Sequence, residues 1–170
     1  MTVGARQPAD NDRVLWARVT LLATRRLTDY EKVKAFRILN QVRPRWNGAR
    51  LARELVKFGY QEVYDKLLDD RLALLEEAYL AAKGADETEP ERVALMLAAL
   101  DGRVNVLHEL GRSAEAVSAD LSTLIHTTER DRVRRGLTSL ADWLDDERRS
   151  RAAAAVERLR DDDSLWDRLA

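Results

Sequence analysis

Two stretches of this chain echo each other. Thr28-Asp29-Tyr30-Glu31-Lys32-Val33 runs on to Leu39 and Pro44, and Phe58-Gly59-Tyr60-Gln61-Glu62-Val63 runs on to Leu67 and Leu68. Each places a turn, a tyrosine, an acidic residue and a valine in the same order, with the tyrosines thirty residues apart and amphipathic sequence on either side. A unit repeated at such a period is a helical hairpin that cannot bury its apolar face alone, so neighbouring hairpins must stack to cover it.

Composition points the same way. Charged residues make up 35% of the 170 and apolar residues 45%, with only seven glycines and three prolines, which favours helix over sheet. The expected fold is all-α, with residues 1–10 as a flexible arm and 11–170 as one helical domain. No cysteine is present, so disulfides, thiolate metal sites and a cysteine nucleophile are excluded. The longest apolar run, Val93 to Leu100, is too short to span a bilayer, and Met1 to Arg13 is polar where a signal peptide is apolar. A cytoplasmic protein without membrane contact is expected.

Caps and periodicity place the helices. Leu15, Val19 and Leu22 recur at i, i+4 and i+7, predicting one buried stripe on a helix over 13–27, with Trp16 beside it. Thr28 and Glu31 form a capping box for a second helix over 29–42, stopped by Pro44. Asn47 caps a third, with Leu51, Leu55 and Phe58 buried and Gly59 left-handed at its end. Residues 60–83 read as one long helix, followed by an acidic loop to Glu91. Thr88 and Glu91 form a second box before a helix to Leu110, in which Gly102 marks a kink or a close helix contact. Ser113 starts a helix to His126, Thr128 with Asp131 starts another to Leu144, and an eighth runs to Arg160. A final turn over 164–169 packs Trp166 back.

These junctions resemble the tetratricopeptide repeat. Leu27 to Val33 with Pro44, Phe58 to Val63, and Leu110-Gly111-Arg112-Ser113-Ala114-Glu115-Ala116-Val117 are similar to the family's inter-helix motif and cover about residues 13–127. Thirty residues replace the family's thirty-four, Tyr60 to Ser113 spans fifty-three, and Val33 and Val63 stand where the family favours alanine. The resemblance implies antiparallel hairpins stacked as a short, degenerate α-solenoid; a non-repeat helical bundle is the alternative. It further implies a concave groove lined by helices 13–27, 46–58, 92–110 and 130–144.

That groove is where binding residues are expected. Arg50, Arg53 and Lys57 recur at i, i+3 and i+7 on one helix face, Arg18 and Arg25 align on the first helix, and Asn47 adds an amide, with Asn105 and His108 next along. Guanidinium groups donate paired hydrogen bonds to carboxylates, so the expected partner is a protein or peptide, an acidic one by preference, held by an adaptor or scaffold. Residues 1–60 carry 13 Lys/Arg against 5 Asp/Glu, and residues 61–170 carry 16 against 25. Such asymmetry also suits an anionic partner or head-to-tail self-association.

Catalysis has little support. His108 and His126 lie on different helices without metal-ligand spacing, and Glu76-Glu77 and Asp161-Asp162-Asp163 have no accompanying acid–base partner, so neither an enzyme nor a cofactor is expected. The alternative function is nucleic-acid binding by the basic third, in which Arg43-Pro44-Arg45-Trp46 mixes cations with an aromatic and Leu51 to Tyr64 loosely suggests a helix-turn-helix. Homo-oligomerisation through leucines of the 60–83 helix is a third possibility.

Overall fold

The computed structural model describes residues 8–168. Among these every regular element is helical: α1 (Pro8–Leu21), α2 (Asp29–Val42), α3 (Pro44–Gly59), a 3-10 turn (Glu62–Asp65), α4 (Leu68–Gly84), α5 (Arg92–Glu109), α6 (Glu115–His126), α7 (Arg130–Asp146), α8 (Ser150–Asp161) and α9 (Asp163–Arg168). Residues 1–7 of the expected arm lie outside the described residues, whereas Pro8 to Asp10 already belong to α1. Proline suits a first helical turn because its fixed φ is helical and its missing N–H has no partner to lose there.

From α1 to α6 each helix packs on the next, and α7 packs on α8. At the centre is α5, which touches α3, α4, α6, α7 and α8. Enclosure on so many sides explains its apolar run, since Ala94 to Leu100 are all buried. Leu51, Leu55, Leu137, Leu140 and Leu144 join it in one contiguous core. The expected close contact at Gly102 is present: a Cβ there would lie 2.9 Å from Leu75 Cδ1. A tighter approach, at Gly48, was not anticipated, and a Cβ there would lie 2.2 Å from the Ala81 carbonyl oxygen of α4. At the carboxyl end Trp166 does pack back, 4% exposed, with its indole N–H donating to the Leu159 carbonyl at 3.2 Å.

Several local expectations are corrected. The first helix stops at Leu21 because the connection must become extended before Thr28, whose φ of −72° and ψ of 157° allow it to cap α2. The capping box itself is as expected, with Glu31 N–H donating to Thr28 Oγ1 at 3.2 Å and Thr28 N–H to Glu31 Oε1 at 3.3 Å. Residues 60–83 are not one helix. Gln61 and Leu67 leave helical geometry, and Arg71 secures the break by donating to the Gly59 carbonyl and to Asp65. Gly59 ends α3 without a positive φ; among the described glycines only Gly111 has one, 66°. Thr88 makes no box with Glu91, because its N–H and hydroxyl both donate to Asp86, at 2.9 and 2.6 Å. Likewise Thr128 donates to the Ile125 carbonyl instead of capping α7.

Burial also makes one pH limit legible. Desolvation pushes the Tyr60 hydroxyl up to about 12, beside Asp101, whose own carboxyl is raised by burial. An unfolded tyrosine ionises near pH 10, so stability should fall as pH rises from about 10 toward that value. Lys57, whose folded pKa is also raised, adds to the loss as pH climbs through that pKa. On the acid side Glu147, Glu31 and Asp86 are held low, the latter two at about 2, so their contributions disappear only as pH drops below the ordinary carboxylate range. Urea midpoints should therefore decline as pH rises past about 10 and as it falls through and below the ordinary carboxylate range, the raised Asp101 working in the opposite sense on the acid side.

Candidate binding face

The three basic residues of α3 do not share one environment. Lys57 is 1% exposed, with its ammonium 2.7 Å from Glu54, 3.2 Å from Asp29 and 3.3 Å from Glu147. Burial alone would lower its pKa, but the Glu54 and Asp29 carboxylates outweigh that effect and raise it. Glu147 is opposed by burial too and is nonetheless held low by Lys57 and Lys32. Around this knot Asp29 also accepts from Arg149 and from Gln61, and the Trp143 ring lies 5.1 Å from the Lys57 ammonium. One turn earlier Arg53 lies 4.8 Å from the same ring and donates to Glu91, whose other oxygen accepts from Ser139 at 2.7 Å. The charges of α2, α3, the residue before α5 and the α7–α8 turn thus form one internal seam, with Ser139 and Trp143 of α7 against it.

This arrangement corrects the expected trough. Lys57 is sealed from any partner, and Arg53 is engaged by a buried carboxylate. Arg25 pairs with Glu31. Asn47 is not a cap but a buried brace, its side-chain amide donating to the carbonyls of Arg43 at 3.1 Å and Leu39 at 3.3 Å, across the joint between α2 and α3. Pro44 supplies the first residue of α3 in its place. Asn105 and His108 are exposed on the last turns of α5, separate from the other candidates. Arg18 and Arg50 remain.

Those two lie together. Arg18, Leu21 and Leu22 at the end of α1, Leu39, Val42 and Arg43 at the end of α2, and Trp46, Asn47 and Arg50 at the start of α3 enclose an open groove of about 360 Å³. Among the described residues the guanidinium groups of Arg18, Arg43 and Arg50 make no hydrogen bond or ion pair, and no carboxylate lines the groove. The other arginines of α2 and α3 are tied down, Arg37 to Glu77, Arg45 to Asp86 and Arg53 to Glu91.

The groove continues an apolar row. The stripe expected to be buried on α1 faces outward instead, with Leu15 61%, Val19 59% and Leu22 82% exposed. Val14 and Ala17 are buried in its place, packing on Ala35 and Ile38 of α2 with Leu21, Leu39 and Val42 around them. Small Ala17 and Ala35, both 0% exposed, let the helices meet closely and explain the choice. Among the described residues five of the nine large apolar side chains left exposed, Leu15, Trp16, Val19, Leu22 and Trp46, belong to this end, so the exposure is concentrated and not scattered. Sequence reasoning had noted Trp46 and Arg43 only beside nucleic acid. The signal it missed is that Val14, Ala17 and Leu21 form an equally regular stripe.

Among the described residues no group of acidic and histidine side chains is arranged to hold a metal ion and no helix is long and apolar enough to cross a membrane. No family model matches the sequence, no curated protein matches it, and no solved structure matches the fold.

Proposed function

We propose that the chain is a non-catalytic cytoplasmic adaptor that captures a protein segment on the outer face of α1 and the groove beside it. A tetratricopeptide-like array is the reading of the fold that accompanies this, supported by the packing of each helix from α1 to α5 on its sequence neighbour. The observation that carries the binding reading is the coincidence of an exposed apolar row with three unpaired arginines on one end of the molecule. Covering a side chain such as Leu22 yields about 1.5–3 kcal/mol, enough for a few such residues to anchor a partner.

Trp46, 77% exposed between Arg45 and the unpaired Arg43 and Arg50, favours nucleic acid as the second reading. Leucines and a valine are poor company for phosphates, which is why protein is preferred. The test uses the intact chain and its Leu22→Ser/Trp46→Ala variant as baits in extract of the source cell. Both positions are exposed, so the variant should keep its unfolding free energy in urea to within about 0.5 kcal/mol. The expected result is a protein retained only by the unchanged chain, which rebinds in purified form and resists moderate salt. Retention of nucleic acid that vanishes with salt would favour the second reading, and equal capture by both baits would remove this face from the function.

A further inference from the structure

We infer that the occupant of this face is an amphipathic helix whose apolar stripe is bordered by carboxylates, an inference that rests on the adaptor reading above. Three observations define it. First, Leu15, Val19 and Leu22 form a straight row over two helical turns, about 10 Å, and the row ends in the groove beside Trp46. Such a ridge along one helix is complementary to the groove between side-chain rows of another.

Second, an extended segment would lack hydrogen-bonding partners here. All the walls are helix ends, which offer no row of alternating donors and acceptors such as a sheet edge presents, and the one side-chain amide present, Asn47, already donates to Leu39 and Arg43. An occupant that satisfies its own backbone, a helix, meets no such deficit.

Third, the fixed charges on the groove are all positive. Arg18 stands between Leu15 and Leu22 on α1, and Arg43 and Arg50 stand on the far side, without a carboxylate among them. A two-fold pairing of this face with itself would set these arginines against their symmetry mates, whereas carboxylates flanking an incoming apolar stripe would meet each of them. The chemistry therefore selects an acidic helix over a second copy of this chain.

The purified full chain is panned against displayed 18-residue helices that carry leucines at i, i+4, i+7 and i+11 and have Glu, Gln or Lys at random in the flanking positions. Recovered peptides should be rich in Glu. Three exposed pairs of about 0.5 kcal/mol each make the best of them about ten-fold tighter than its Glu→Gln form. On Arg18→Glu/Arg43→Glu/Arg50→Glu, whose helicity is checked by circular dichroism, the preference should invert to Lys.

Recovery without charge preference, or of Lys-rich peptides on the unaltered chain, would overturn the inference. So would full binding by a peptide with proline at its centre, or sedimentation of the chain as a dimer that Leu22→Ser dissolves. Recovery of no peptide at all would also overturn it, yet it would leave the adaptor reading to be judged by the Leu22→Ser/Trp46→Ala capture.

Discussion

Replacing Lys57 by alanine is expected to destabilise the protein by about 3–5 kcal/mol, a large fraction of what a domain of this size possesses. The loss does not come from a missing salt bridge as such. Glu54, 6% exposed, would be left in the interior without its cation while Asp29 would keep only Arg149 and Gln61, and desolvated charge lacking compensation is what makes such deletions severe. The Glu54 Oε2 atom has only the Lys57 ammonium near it, at 2.7 Å, and accepts no further hydrogen bond. Glu54→Ala introduced together with Lys57→Ala should therefore recover part of the loss, a coupling that a double-mutant cycle in urea measures directly. Arg50→Ala, seven residues away on the same helix but exposed, should change the unfolding free energy by no more than about 0.5 kcal/mol. Equal effects at 50 and 57 would mean that the two cations occupy similar surroundings after all.

A second large loss is expected from one added methyl group. Gly48→Ala would gain about 1 kcal/mol of helix propensity, but its Cβ would meet the Ala81 carbonyl oxygen at 2.2 Å and the Ala85 nitrogen at 3.2 Å. Both atoms are main chain of the α4 end, so neither can rotate aside, and α3 and α4 must separate along their contact. A net loss of about 2 kcal/mol or more follows from overpacking of this kind. Other glycines calibrate the result. At Gly102 the nearest atoms are on the Leu75 side chain, 2.9 Å away, and can shift, so Gly102→Ala should cost less. At Gly59 nothing is nearer than 3.7 Å, so Gly59→Ala should be neutral or slightly stabilising. Urea denaturation of the three variants should rank them in that order. A neutral Gly48→Ala would place α3 and α4 farther apart than described.

What the sequence made legible follows from how local each signal is. The Thr28 and Glu31 box, the stop at Val42, the turn at Gly111 and the fold-back of Trp166 all depend on residues within a few positions, and they stand as read. The two echoed stretches, by contrast, occupy different places: Tyr30 lies in the first turn of α2, whereas Tyr60 follows the last residue of α3. That difference depends on Arg71 and Gln61 reaching Gly59, Asp65 and Asp29, contacts between distant elements that no spacing rule encodes.

The same limitation governed the site. Arg50, Arg53 and Lys57 look alike at i, i+3 and i+7, yet their fates are decided by Glu91 and Glu147, 38 and 90 residues farther along from Arg53 and Lys57 respectively. On α1 either of two stripes could have been buried, and the choice was made by Ala35 and Ile38 of the facing helix. Charge sign and helical class were readable in advance. Which cations are already answered from within was not.

α1 is held by a small satellite cluster, Val14 and Ala17 against Ala35 and Ile38, so its amides should exchange with solvent sooner than those of α5 in the central core. Hydrogen–deuterium exchange of the intact chain, alone and saturated with the tightest acidic helix recovered by panning, is therefore the most direct measurement of where binding occurs. Slowing by about ten-fold or more over residues 14–22 and 42–50, with α5 to α8 unchanged, is the expected result. Protection on α5 to α8 that leaves α1 as fast as in the free protein would contradict a binding face built from Leu22, Trp46 and the unpaired arginines.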